Sequence, residues 1–356
     1  MPAPPGPPSP ATCSRRGSGS SRPSAAPWSG PSATAVDGKD AGPGSTDDGG
    51  DSLTAARETK LNGVLNCDKP AGWSSFDVIR KLRRALGVKR MGHTGSLDPI
   101  ATGVLVICVG RTTRIVELLM AAEKEYRARV RFGAATQTYD SEGRVTLTGE
   151  PPPNLRAAVE ELLPNYRGRI MQSPPPYSAA KKNGVPLYKL ARQGELVEAP
   201  PREVEVRELE LTGVEGDEAE LRVVCGKGTY VRGLAHDLGQ DLGCGAHLVG
   251  LVRSRNGIFG VEDALNVDRP AEELAPAALE RLVPPEQALA YLPSADLLEG
   301  DVPKYLNGMA VTLAVKRPVG TLLRVFGPEG FIGVGRVEPG PGGAAVQPRI
   351  TLSRGR

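Results

Sequence analysis

The chain has 356 residues, enough for two domains or one large domain with appendages, and its formal charge of +3 does not by itself call for a nucleic-acid partner. No apolar run is long enough to span a membrane, the five cysteines form no C-x-x-C pair and there are only three histidines, which argues against a membrane partner, a disulfide framework and a metal site. Neither G-x-G-x-x-G nor a P-loop pattern occurs, so no cofactor is expected.

Residues 1–58 are rich in Pro, Gly, Ser and Ala and have almost no Leu, Ile or Phe. Such a segment buries too little apolar surface to offset its ordering entropy and is expected to be a disordered extension. Up to Val36 it carries Arg15, Arg16 and Arg22 but no acid, a weak transit-peptide pattern that its prolines oppose. The expected compartment is the cytoplasm, with an organelle as the alternative.

Ser74 to Leu86 reads as a helix. Ser74 and Asp77 form a capping-box start, and Val78, Ile79, Leu82, Ala85 and Leu86 make one apolar face. From Gly92 to Gly103, three glycines and Pro99 predict an irregular loop, followed by a buried strand over Val104–Val109. Tyr126 to Phe132 alternates strictly, with Tyr126, Ala128, Val130 and Phe132 on one face and Arg127, Arg129 and Arg131 on the other. A helix is expected over Asn154–Leu163. Strands are expected over Val204–Leu211, with a bulge near Arg207-Glu208, and over Leu221–Cys225, then a helix from near Thr229. These elements make an α+β domain over 59–268, built on a mixed, largely antiparallel sheet. Residues 269–292 read as a linker. A second unit over 293–356 holds a hairpin, Gly320–Phe326 and Phe331–Gly335, flanked by Leu297–Val311 and Arg349–Leu352.

Between Arg80 and Arg131 there are twelve basic residues and only four acids, a field that suits either a phosphate backbone or an ordinary solvated face. Asp98 sits between Leu97 and Pro99-Ile100. It is either a turn aspartate capping local backbone or a carboxylate held against apolar surface at the mouth of a pocket.

Gly92-His93-Thr94-Gly95-Ser96-Leu97-Asp98-Pro99-Ile100-Ala101-Thr102-Gly103 resembles the catalytic motif of the TruB family of pseudouridine synthases. Asn66–Ser75, Lys124–Arg127, Gly226–Arg232 and Leu242–Leu248 resemble that family's other motifs in the right order. The C-terminal unit resembles a PUA domain, a small RNA-binding β-barrel. The resemblance implies a pseudouridine synthase fold and isomerisation of the T-arm uridine (position 55) of tRNA. In that reaction the N1–C1′ bond breaks, the uracil turns and it rejoins through C5, with no metal and no obligate protein partner; a monomer is expected. It further implies that Asp98 is the catalytic carboxylate, paired with Arg232. Tyr126 would stack on the target base, Tyr230 and Leu251 would wall the nucleotide pocket, and His93 would lie in the RNA path. Lys69 falls where a phosphate contact is plausible. Thr136 to Glu195, with Tyr177, Lys181, Lys182, Tyr188 and Arg192, matches a loop that clamps the tRNA T-arm in the family. A guide-dependent rRNA synthase of the dyskerin type, which lacks most of that loop, and a non-catalytic RNA-folding module are the alternatives.

Overall fold

A computed structural model of the chain describes residues 61–195, 197, 199–313, 317–340 and 343–352. The expected N-terminal extension lies outside the described residues. The central feature is a ten-stranded sheet. Its main path runs Leu265–Asn266, Gly63–Lys69, Ala101–Val109, Ala246–Asn256, Lys124–Phe132, Glu218–Cys225, Arg202–Glu215, Gly168–Gln172. Gly63–Lys69 with Leu265–Asn266, and Ala101–Val109 with Ala246–Asn256, are parallel pairs; the other neighbours are antiparallel. This is the mixed, largely antiparallel sheet that the sequence predicts.

The apolar run after the catalytic-type loop does not alternate because both of its faces are covered. Leu105, Ile107 and Val109 enter the main core with Leu82 and Leu65, whereas Val104, Val106 and Cys108 enter a second core with Val64, Ile115 and Leu289. In Lys124–Phe132 the even-numbered residues are buried and the odd ones are not, as the alternation requires. The Ser75–Leu86 helix starts on the expected capping box: Ser74 Oγ accepts from Asp77 N at 3.2 Å, and Asp77 Oδ2 accepts from Ser74 N at 2.9 Å. It ends at Gly87 in the left-handed region, φ 66°. The Asn154-capped helix spans Leu155–Leu162, and the third long helix spans Val231–Asp241. The predicted bulge is the register shift between Val206 and Glu208. Four cysteines, Cys67, Cys108, Cys225 and Cys244, are buried free thiols.

Two regions depart from the sequence reading. The glycine-rich loop is shorter than Gly92–Gly103, because Met91–His93 and Ala101–Val109 both pair as strands and leave only residues 94–100 irregular. Residues 269–292, read as a linker, form the helices Ala271–Glu280 and Pro285–Ala288, with Leu274, Ala278 and Leu289 buried. Pro270, Pro284 and Pro285 stand at helix N-termini, where a missing N–H costs nothing, whereas Pro276 lies inside the first helix.

The C-terminal strands form a separate five-stranded, PUA-like sheet in the order Ser294–Asp296, Leu322–Gly327, Gly330–Gly340, Gly343–Thr351, Val311–Thr312. Gly343–Thr351 is longer than the expected Arg349–Leu352 segment. Val334 of this sheet joins the second core beneath the large sheet, and Arg111 Nη1 donates to Leu352 O at 3.0 Å.

Candidate active site

Residues 94–100 are held from four directions. Ala101 N donates to Asp98 O at 3.0 Å, closing a tight turn through Pro99-Ile100. Ser75 Oγ, in the first turn of its helix, accepts from Leu97 N at 2.8 Å and donates to Leu97 O at 3.2 Å. Gly72 N donates to Pro99 O at 2.9 Å. Arg253, only 1% exposed, donates from Nε to Val104 O at 2.6 Å and from Nη2 to Gly95 O at 3.1 Å. Gly103 packs directly on this arginine's backbone: at φ 93°, a Cβ there would lie 2.4 Å from Arg253 O, so no side chain fits.

Lys69 corrects a sequence expectation. Its ammonium is buried and donates to Pro70 O at 2.8 Å, Trp73 O at 2.5 Å and Pro99 O at 3.3 Å. It faces main-chain carbonyls and cannot offer itself to a phosphate. Burial pushes its pKa down to about 8, against opposing pulls from Asp98 and Glu142.

Asp98 meets Arg232, which the Val231–Asp241 helix presents from its first turn. Arg232 Nε lies 2.9 Å from Asp98 Oδ2, and Nη2 donates to Oδ1 at 3.2 Å. The two exposures differ sharply: 5% for the arginine side chain, 41% for the aspartate. The carboxylate therefore opens to solvent while its cation is sealed behind it. Arg232 also reaches Asp140 Oδ2 at 3.3 Å, Thr138 O at 2.6 Å and Tyr177 O at 2.9 Å. One guanidinium thus ties the candidate catalytic loop to the 136–140 turn and to the 172–180 segment. Asp140 is itself buried and accepts from Thr138 Oγ1 and from Glu142 N. Glu142, near both Asp140 and Asp98, has its pKa raised by partial burial first and by those two charges second.

The other sequence candidates lie around this pair. Gly103, Arg253 and Tyr126 form one row across three adjacent strands, and Ala101, Leu251 and Ala128 form another. Tyr126 and Leu251 share the main core with Leu97. Burial raises the Tyr126 phenol pKa, against an opposing pull from the Arg253 charge. Tyr230 is fixed by Gln172, whose Oε1 accepts from Tyr230 N at 2.8 Å and whose Nε2 donates to Tyr230 O at 2.9 Å. His93 Nδ1 accepts from Gly95 N at 3.4 Å; burial, then Arg253, lowers its pKa and favours the neutral ring.

Not all of the basic field faces a ligand. Arg129 lies 3.1 Å from Glu218 and Arg131 2.5 Å from the same carboxylate. Arg222 lies 3.1 Å from Glu125, and Arg255 bridges Glu123 at 3.2 Å and Glu125 at 3.3 Å. This outer face of the sheet is an ion-pair lattice, the solvated-face alternative. Arg253 escaped the sequence reading because it lies on the same period-two face as Leu251, which reads as core.

Residues 83–231 match the TruB family pseudouridylate synthase (N terminal domain). The chain is 43% identical over 282 residues to the tRNA pseudouridine synthase B of Stutzerimonas stutzeri (strain A1501), covering 78% of this chain and 92% of that protein. It is 41% identical over 254 residues to the tRNA pseudouridine synthase B of Dehalococcoides mccartyi (strain CBDB1), covering 71% and 85%. Among solved structures, a chain of a Cbf5-Nop10-Gar1 complex is 25% identical with a TM-score of 0.62, covering 84% of this chain and 86% of that one. Identity of this extent over most of the chain, with the motif residues folded around a single Asp–Arg pair, shows that the protein belongs to the TruB family of pseudouridine synthases.

Proposed function

We propose that this protein isomerises uridine to pseudouridine in the T-arm of tRNA, with Asp98 as the catalytic carboxylate. The observation that carries the reading is the asymmetric pair, an open carboxylate backed by a buried guanidinium that lies 2.9 Å from it and donates one hydrogen bond to it. The reaction breaks N1–C1′ and makes C5–C1′; C5 gives up a proton and N1 gains one, so substrate and product are isomers. A carboxylate beside the anomeric carbon can serve only while ionised, and the guanidinium favours that form and fixes its orientation. Tyr126, Leu251 and Tyr230 supply apolar wall for the extruded uracil, and His93 lies at the mouth, on the chain just before the loop. Extruding a base costs a few kcal/mol of unstacking, which contacts to the rest of the RNA must offset. The 177–192 segment is suited to making such contacts, since Lys181 and Lys182 are exposed and the Arg192 guanidinium lies 5.6 Å from the centre of the Tyr188 ring. The C-terminal PUA-like sheet would add a second contact with the RNA.

The test is purified protein with an unmodified tRNA transcript and no guide RNA, followed by mapping of pseudouridine. Modification of the T-arm uridine is the expected result. Modification only after a guide RNA is added would move the protein to the dyskerin type. No modification under either condition would leave only the RNA-folding reading.

A further inference from the structure

The Ser75–Leu86 helix begins against the candidate catalytic loop, through the Ser75–Leu97 hydrogen bonds, and its first exposed side chain is Phe76. Phe76 is 57% exposed, high for a phenylalanine. A lone exposed apolar residue needs no explanation. This one has two cations over its ring: the Arg80 guanidinium carbon is 5.9 Å from the ring centre and that of Arg83 5.7 Å. Arg83 is held there by a bond from Nη2 to Met91 O, 3.3 Å, and Arg80 by an ion pair with Asp77. Between Lys69 and Leu97 the chain carries seven basic residues and a single acid, Asp77, and Arg80, Arg84, Lys89 and Arg90 are exposed. On the neighbouring face Trp73, with the Lys81 ammonium 5.1 Å from its ring centre, borders a groove of about 550 Å³ lined also by Arg80 and Arg84. The groove also meets acids, with Asp77 paired to Arg80 and Asp268 3.9 Å from Lys81, but basic residues outnumber them here, unlike on the outer face of the sheet.

From this we infer that Phe76 and its two arginines form a second stacking platform for the substrate RNA, holding an unpaired base outside the catalytic pocket while Arg80, Lys81 and Arg84 follow the adjoining phosphates. The chemistry asks for this class of ligand. Only a nucleobase offers a flat π face that can stack with an aromatic ring and its guanidinium partners, next to a polyanionic backbone that the surrounding cations attract. The position asks for it too, since the platform lies one residue from the Ser75 contact with the candidate catalytic loop. The inference rests on the proposed activity for the identity of the RNA, but its test does not.

The experiment measures equilibrium binding of an unmodified tRNA transcript by filter retention at two salt concentrations, with pseudouridine formation followed in parallel. The variants are Phe76→Ala, Phe76→Leu and Phe76→Trp. Phe76 is exposed, so all three are expected to fold, and thermal midpoints check this. Phe76→Ala should weaken binding about tenfold, equivalent to ~1.4 kcal/mol, raising KM and leaving kcat within twofold. Phe76→Trp should restore binding fully and Phe76→Leu should not, because a leucine is apolar but cannot stack. The loss should persist at higher salt, unlike the loss from Arg84→Ala, which should shrink. Binding of Phe76→Ala equal to wild type, or rescue by leucine as complete as by tryptophan, would overturn the platform. A wild-type protein that binds the transcript but forms no pseudouridine would count against the proposed function alone.

Discussion

Tyr139 lies flat on His236, with ring centroids 3.7 Å apart and planes 8° from parallel. Tyr139 is one of two non-glycine residues with positive φ among the described residues, at 65°. A tyrosine held there carries strain that the surroundings must offset. Its neighbours are two of the residues that receive Arg232, Thr138 through its carbonyl and Asp140 through its carboxylate. The stack therefore holds the turn that positions the arginine behind Asp98. We expect His236→Ala to lower kcat about five- to tenfold with little change in KM, and His236→Phe to recover most of it, since a flat ring is what the turn needs. Steady-state kinetics on tRNA decide the matter. A rise in KM with kcat intact would place His236 against RNA.

Asp98→Asn should abolish isomerisation and leave tRNA binding nearly unchanged. The amide keeps the shape and most hydrogen bonds but loses the charge, whereas affinity comes from many phosphate and stacking contacts. Single-turnover assays at saturating enzyme, with binding measured alongside, are the check. Turnover within about tenfold of wild type, an effect of only ~1.4 kcal/mol, contradicts the catalytic role.

Arg232→Met should damage both rate and stability. It strips the cation from Asp98, and from Asp140, which is as deeply buried as the arginine itself. Removing one partner of such a buried pair costs on the order of 3 kcal/mol, and Asp98, being open to water, adds little to that. Adding Asp140→Asn should recover part of the lost stability, because the stranded buried charge is gone, but none of the lost activity. Arg232→Lys should be intermediate in stability and poor in rate, since one ammonium cannot reach Asp98, Asp140 and two carbonyls together. Urea unfolding of wild type, Arg232→Met, Asp140→Asn, the double variant and Arg232→Lys tests this; strict additivity of Arg232→Met and Asp140→Asn would mean that the Asp140 contact carries no energy.

Much of this arrangement is legible in the sequence. The capping box of Ser74 and Asp77, the alternation around Tyr126 and the bulge at Arg207-Glu208 are local patterns, and each appears where the sequence puts it. The pairing of Asp98 with Arg232 spans 134 positions and follows from the family motifs, not from periodicity. What the sequence hides is tertiary. Nothing local tells that Lys69 and Arg253 are buried cations turned onto carbonyls, since burial of a charge depends on what the rest of the chain brings over it. The helices at Ala271–Glu280 and Pro285–Ala288 are masked by prolines, which mark a helix start as readily as a linker. Gly343–Thr351 is obscured by Gly343 and Pro348, although it pairs along most of its length with Gly330–Gly340.

The last expectation concerns Lys69 and pH. Burial lowers its pKa from 10.5 to about 8 in the folded protein. Below that value both folded and unfolded chains carry the charge, and the cost of burying an ammonium is present in full. Between about 8 and 10.5 the unfolded chain still holds the proton while the folded chain has released it, so stability rises with pH across this window. The gain is at most about 1.4 kcal/mol per pH unit. The neutral amine keeps two N–H groups, enough for Trp73 O and Pro70 O, and Pro99 O retains its bond from Gly72 N. The loop carrying Asp98 should therefore stay in place as the lysine discharges. Lys69→Met does not titrate, so the stability of wild type relative to this variant should climb from about pH 8 to about pH 10. Lys124, also lowered to about 8 by burial, is present in both proteins and cancels in the comparison. Urea-unfolding free energies that run parallel for the two proteins across this range would show that the Lys69 ammonium keeps an ordinary pKa and is not held as the structure places it.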